Sequence, residues 1–165
     1  MGAIVSADNL ALLAVRLEKR GSEFYRQAAA RTMEPELTES FGKLADEEAE
    51  HAQRIDALAR ELREASSNPE AAGEMKAHGC LKAFVEGRVV PNEEDIDAFF
   101  ADLRGTDELL KKAINAEKDM IALLTGLKAF LGDGRSREVI DRLIVDELGH
   151  IALLNDLFED LIERT

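Results

Sequence analysis

At 165 residues the chain has the length of one domain with a real core, and its 45% hydrophobic content sets it apart from an acidic disordered tail. A net charge of −13 argues against nucleic-acid binding, which needs Lys and Arg clustered against phosphates. Cys80 is the single cysteine, no apolar run approaches the ~20 residues of a membrane span, and no basic segment leads into an apolar one at the N-terminus. The expectation is a cytoplasmic protein without disulfides, CxxC elements or membrane anchorage.

Leu, Ala and Glu dominate, with three prolines and no tryptophan, the composition of long helices. The first is expected over residues 8–31, with a core-facing seam of Ala11, Ala14, Glu18, Gly21 and Tyr25. Gly21 costs about 1 kcal/mol against alanine in mid-helix. It either lets a neighbouring helix approach or leaves room beside Glu18 for O2 or peroxide. Tyr25 either fills the core or hydrogen-bonds a buried acceptor. The second helix is expected over 35–65, opened by Pro35, which suits a first turn. Its seam reads Phe41, Leu44, Glu48, His51, Ile55, Leu58, Leu62.

A crossover over 66–105 opens with the turn-rich "SSNPEAAG" and carries His78 and Cys80, which read as an ordinary loop rather than a second metal site. It closes in a short helix, "NEEDIDAFFADL", with Asn92 as cap and Phe99 and Phe100 packing onto the rest. The third helix is expected over 106–131, with Thr106 as N-cap before Asp107 and Glu108. Its seam reads Leu110, Ala113, Glu117, Met120, Leu124, while Lys111 and Lys112 belong to a solvated face. The fourth, 136–163, presents Ile140, Leu143, Glu147, His150, Leu154, Leu157, Leu161. Two hairpins with tight turns joined by a long connection predict a single all-α domain over 1–165, a four-helix bundle with one crossover. An elongated coiled coil fits poorly with such short turns and recurrent Gly/Pro punctuation.

The polar residues of the seams repeat. Glu18 and Glu117, Glu48 and Glu147, and His51 and His150 are each 99 positions apart, and each first-helix or third-helix Glu precedes its hairpin's ExxH glutamate by 30. Residues equidistant from a hairpin turn lie at one height, so at about 1.5 Å per residue all four glutamates sit about 20 Å from their turns. A lone ExxH is usually a surface pair, and a lone polar seam residue more often fixes register than binds metal. Here two ExxH motifs use two of the three histidines, both on the seam. Four buried carboxylates repel one another and lose hydration, a cost of several kcal/mol each, and two divalent cations relieve both. One Glu from each of two helices plus Glu-x-x-His from each of the others is the ligand set of di-iron and di-manganese carboxylate bundles. Such ligands suit iron or manganese. Glu47 and Asp146, each four residues before a ligand His, either accept the other N–H of an imidazole across the bundle or are surface acids beside the seam.

"LEKRGSEFYRQAA" (17–29), "FGKLADEEAEHAQRI" (41–55), "AINAEKDMIALL" and "LIVDELGHIALL" resemble the four helices of the ferritin-like superfamily, its rubrerythrin-like branch above all. The resemblance implies that Glu48 and Glu147 bridge two metals, with Glu18 and His51 completing one site and Glu117 and His150 the other. Met120 stands where rubrerythrins commonly carry an extra Glu, at odds with a rubrerythrin-type peroxidase cycle. The chain has no CxxC rubredoxin module, so neither rubredoxin iron nor an internal electron source is expected, and the donor would be external. Ala49 replaces the haem-ligating Met of bacterioferritin, so no haem is expected. Fifteen residues after His150 are too few for the fifth helix of a ferritin cage. The expected protein is a di-iron (or di-manganese) oxidoreductase reacting with O2 or H2O2, a homodimer by default. Iron storage, or a helical interaction protein with a relict site, are the alternatives.

Overall fold

A computed structural model of the chain describes residues 7–66, 91 and 93–164. Helix α1 spans Ala7–Arg31 and α2 Pro35–Ser66. A 3-10 turn at Glu93–Asp95 leads into the short helix α3 (Ile96–Asp102), followed by α4 (Thr106–Phe130) and α5 (Gly134–Glu163). Among the described residues there is no strand, and no helix is long and apolar enough to cross a membrane. The long helices pair as two hairpins, α1 with α2 and α4 with α5, and contacts of α1 with α4 and α2 with α5 close the bundle.

Local chemistry sets the ends. Between α1 and α2 the Thr32 amide donates to Ala28 O at 3.1 Å, and α2 starts at Pro35, whose missing N–H costs nothing in a first turn. Asp133 caps α5 by accepting from the Ser136 amide at 2.7 Å, so that helix begins at Gly134, two residues before the expected start. Thr106 is not the cap of α4. Gly105 holds that place without a side-chain bond, and Glu108 accepts instead from the Arg104 amide at 3.0 Å. Asn92, His78 and Cys80 lie outside the described residues.

The four seams face one interior. Each of their residues is buried except Leu62 and Leu161, which are partly so. The apolar core is in two parts: one cluster holds Leu10, Ala14, Ile55, Leu124 and Ile140, the other Phe24, Phe41, Leu110 and Leu154. Between them along every seam lie the polar residues. Helix α3 packs on the second cluster, with Phe24 stacking on Phe100 at 5.6 Å and meeting Phe99 edge-on at 5.7 Å. Lys111 and Lys112 lie over the rings of Phe158 and Phe99, at 5.1 and 5.4 Å, so their stems shield aromatic surface while the ammonium groups pair with Asp107 and Glu108.

Candidate metal centre

Glu18 comes from α1, Glu48 and His51 from α2, Glu117 from α4, and Glu147 and His150 from α5, and all six are at most 4% exposed. The i, i+3 spacing stacks each Glu-x-x-His pair one turn apart on the buried face. One ligand atom from each of Glu48, His51, Glu147 and His150 lies within 4.8 Å of all the others. Both imidazoles turn Nδ1 inward. His51 Nδ1 is 2.9 Å from Glu147 Oε1, and His150 Nδ1 is 3.0 Å from Glu147 Oε2 and 3.1 Å from Glu48 Oε1. Glu117 stands slightly further out, 3.8 Å from His150 Nδ1, and Glu18 packs beside Glu48. The two imidazole rings are nearly parallel, 5.3 Å apart.

Close approach here is not the same as hydrogen bonding. Both oxygens of Glu18, Oε1 of Glu48, His51 Nδ1 and Glu147 Oε1 are buried without a hydrogen-bond partner. Buried polar atoms are rarely left so, and five of them aimed into one small volume fit cations as the missing partners. Four carboxylates and two imidazole nitrogens match two divalent ions in charge and ligand type.

The surroundings fix these side chains. His150 Nε2 hydrogen-bonds Glu47 Oε2 at 3.1 Å, and His51 Nε2 faces Asp146 Oδ2 at 3.5 Å, each acid reaching from the opposite hairpin. Tyr25, fully buried, fills the core with its ring and donates its hydroxyl to Glu117 Oε1, so the two roles open to it in the sequence are both taken. At Gly21 the neighbour is a side chain of the site itself. A Cβ there would sit 2.9 Å from Glu48 Oε2, so the missing side chain makes room for that carboxylate. Met120, one turn after Glu117, is buried in the first apolar cluster. Arg54 has no part in the sequence-based site, yet it donates to Asp146 Oδ2 at 3.0 Å. Its signal was a departure from the 99-residue repeat, which places Leu153 opposite it.

Protonation follows from burial and crowding. Burial first, then the charge of Glu48, pushes the carboxyls of Glu18 and Glu117 well above the usual range. Burial acts against the charge of Glu147 as well, but its two imidazole neighbours win and hold it at about 2. Burial likewise opposes charge on His51 and His150, and the carboxylates around them still raise both. Groups raised by folding stabilise the fold below their unfolded pKa and lose that contribution as pH rises. The depressed Glu147 loses its contribution as pH falls from about 4.5 towards 2. With no metal bound, stability is therefore expected to fall between pH 5 and 8, by up to about 1.4 kcal/mol per pH unit for each proton involved. Added Mn2+ competes with those protons, so the rise in Tm it brings should grow over the same range. Thermal melts with and without Mn2+ check this, and a metal-free Tm that climbs with pH would contradict it.

Two hairpins that gather carboxylates and imidazoles at mid-height define a carboxylate-rich metal-binding bundle. The chain belongs to the rubrerythrin family, whose sequence model matches residues 8–158. Among solved structures, a Thermotoga maritima protein assigned as a ferritin-like diiron-carboxylate protein superposes with a TM-score of 0.75 at 23% identity, covering 96% of this chain and 98% of its own. At that identity the likeness speaks for the fold, a ferritin-like all-α bundle. No curated protein matches the sequence.

Proposed function

We propose that the protein is a di-iron oxidoreductase that reduces O2 or hydrogen peroxide with electrons from a separate donor. The observation that carries this reading is the set of buried, unpartnered carboxylate and imidazole atoms that α1, α2 and α5 bring to mid-bundle. Glu48, His51, Glu147 and His150 would hold the ions, with Glu117 beside His150 and Glu18 beside Glu48 completing the set. Iron held there would supply one-electron redox steps and Lewis acidity. Reduction of one H2O2 to two waters takes two protons and two electrons, the number of electrons that two ferrous ions would supply.

The protein's own residues do the rest. Glu47 hydrogen-bonds the outer nitrogen of His150, which keeps Nδ1 of that ring turned inward, and Asp146 stands 3.5 Å from the outer nitrogen of His51. Tyr25 holds Glu117 through its hydroxyl. A cleft of about 410 Å³ between α2 and α5 reaches the outer faces of His51 and His150. The apolar clusters above and below exclude water from the remaining sides.

The test is stopped-flow absorbance after anaerobic loading with two Fe2+ per chain and mixing with O2 or H2O2. Ferric absorption in the near ultraviolet should appear within seconds and far faster than in protein-free buffer. Two bound irons that oxidise no faster than free Fe2+ would contradict the oxidoreductase reading and favour iron handling or a manganese centre.

A further inference from the structure

The repeat that superposes the six candidate ligands breaks beside them. Shifted by 99 positions, Arg54 on α2 falls on Leu153 of α5, and Glu47 falls on Asp146, one methylene shorter. Both differences sit in the α2–α5 cleft, against the outer faces of the imidazoles. On the His150 side, Glu47 Oε2 is in a 3.1 Å hydrogen bond with Nε2, and Lys43 approaches only the other oxygen, at 3.8 Å. On the His51 side, Asp146 Oδ2 stands 3.5 Å from Nε2, too far for a good N–H···O bond. That same oxygen accepts from Arg54 Nη1 at 3.0 Å, and the other arm of the guanidinium lies 3.4 Å from Glu50. Arg54 and His51 thus compete for one carboxylate oxygen, and Arg54 holds it.

We propose that Arg54 is a positioning residue that keeps Asp146 off His51 and so makes the two metal positions unequal, the Glu117–His150 position binding more tightly than the Glu18–His51 position. This rests on the two-metal reading of the centre. A carboxylate that accepts the outer N–H of an imidazole makes the ring a stronger ligand, and loss of such a partner typically weakens metal binding 10–100-fold. Glu47 does this for His150. Asp146, its oxygen engaged by the Arg54 guanidinium, does it poorly for His51. The half-exposed Arg54 side chain is free to change without disturbing the core.

Anaerobic calorimetric titration of the metal-free protein with Mn2+ or Co2+ tests the proposal, alongside thermal melts that establish folding. The wild type should bind two ions in separate steps. Arg54→Leu, which restores the repeat, should strengthen the weaker step about tenfold and bring the two together. Arg54→Lys keeps a cation against Asp146 and should leave the steps apart. An unchanged separation in Arg54→Leu, or a weaker second step, would overturn the proposal, the latter by showing Arg54 to be a brace for Asp146 rather than a competitor. A wild type that never takes a second ion would remove the two-metal reading itself, a failure distinct from an unresponsive Arg54→Leu.

Discussion

Glu147→Ala is expected to abolish tight binding at both metal positions at once. Its two oxygens lie 2.9 Å from His51 Nδ1 and 3.0 Å from His150 Nδ1, so one side chain serves both halves of the centre. No neighbour can replace it. Glu48 lies beside both imidazoles but closely approaches only His150 Nδ1, at 3.1 Å, and Glu18 and Glu117 stand to the outside. The loss should exceed the roughly 100-fold upper range for an outer-sphere partner. The measurement is Tm with and without Mn2+. At free metal 100 times its Kd the wild type gains about 2.7 kcal/mol per site, whereas the Glu147→Ala melt should be indifferent to metal. Two ions still bound per chain in this variant would show that Glu147 is not shared.

Gly21→Ala separates the demands of folding from those of the site. In a buried mid-helix position alanine is favoured over glycine by about 1 kcal/mol. The added Cβ would meet Glu48 Oε2 at 2.9 Å, the far end of a side chain rather than backbone, so the fold can absorb it by moving the carboxylate. The metal-free variant should therefore be as stable as the wild type or slightly more so. A displaced Glu48 is no longer aimed at the centre, and metal affinity should drop by about tenfold or more, the scale on which a ligand's misorientation acts. Calorimetric titration beside thermal melts reads both quantities. Unchanged affinity would mean that Gly21 serves helix packing and not the carboxylate.

The ligand set was legible because burial has a strict grammar on a helix. A Glu or His at a seam position between Leu and Ile cannot reach water, and its recurrence at one offset in two hairpins leaves few explanations other than a shared site. The four long helices were readable from the same periodicity, with ends shifted by a residue or two where a cap decided. Thr106 looked like the cap of α4, but Gly105 holds that place, since the preference of threonine for caps does not say which backbone turns first. What sequence spacing could not supply was contact between helices. That Gly21 faces Glu48, that Tyr25 reaches Glu117 rather than Glu18, and that Arg54 engages Asp146 all depend on how α1, α2, α4 and α5 are rotated against one another. The pairing of Glu47 with His150 and of Asp146 with His51 lay between these cases, since position on the helix left each acid either to reach across or to remain at the surface.

In the proposed di-iron protein, four glutamates and two histidines hold a pair of metal ions at mid-bundle. Anomalous diffraction from crystals loaded with Mn2+ or, anaerobically, with Fe2+ tests it most directly. Two peaks per chain about 3.5–4 Å apart, flanked by Glu48 and Glu147, are the predicted result. A single peak, or ions found only on the acidic surface while the six side chains pair among themselves, would contradict it.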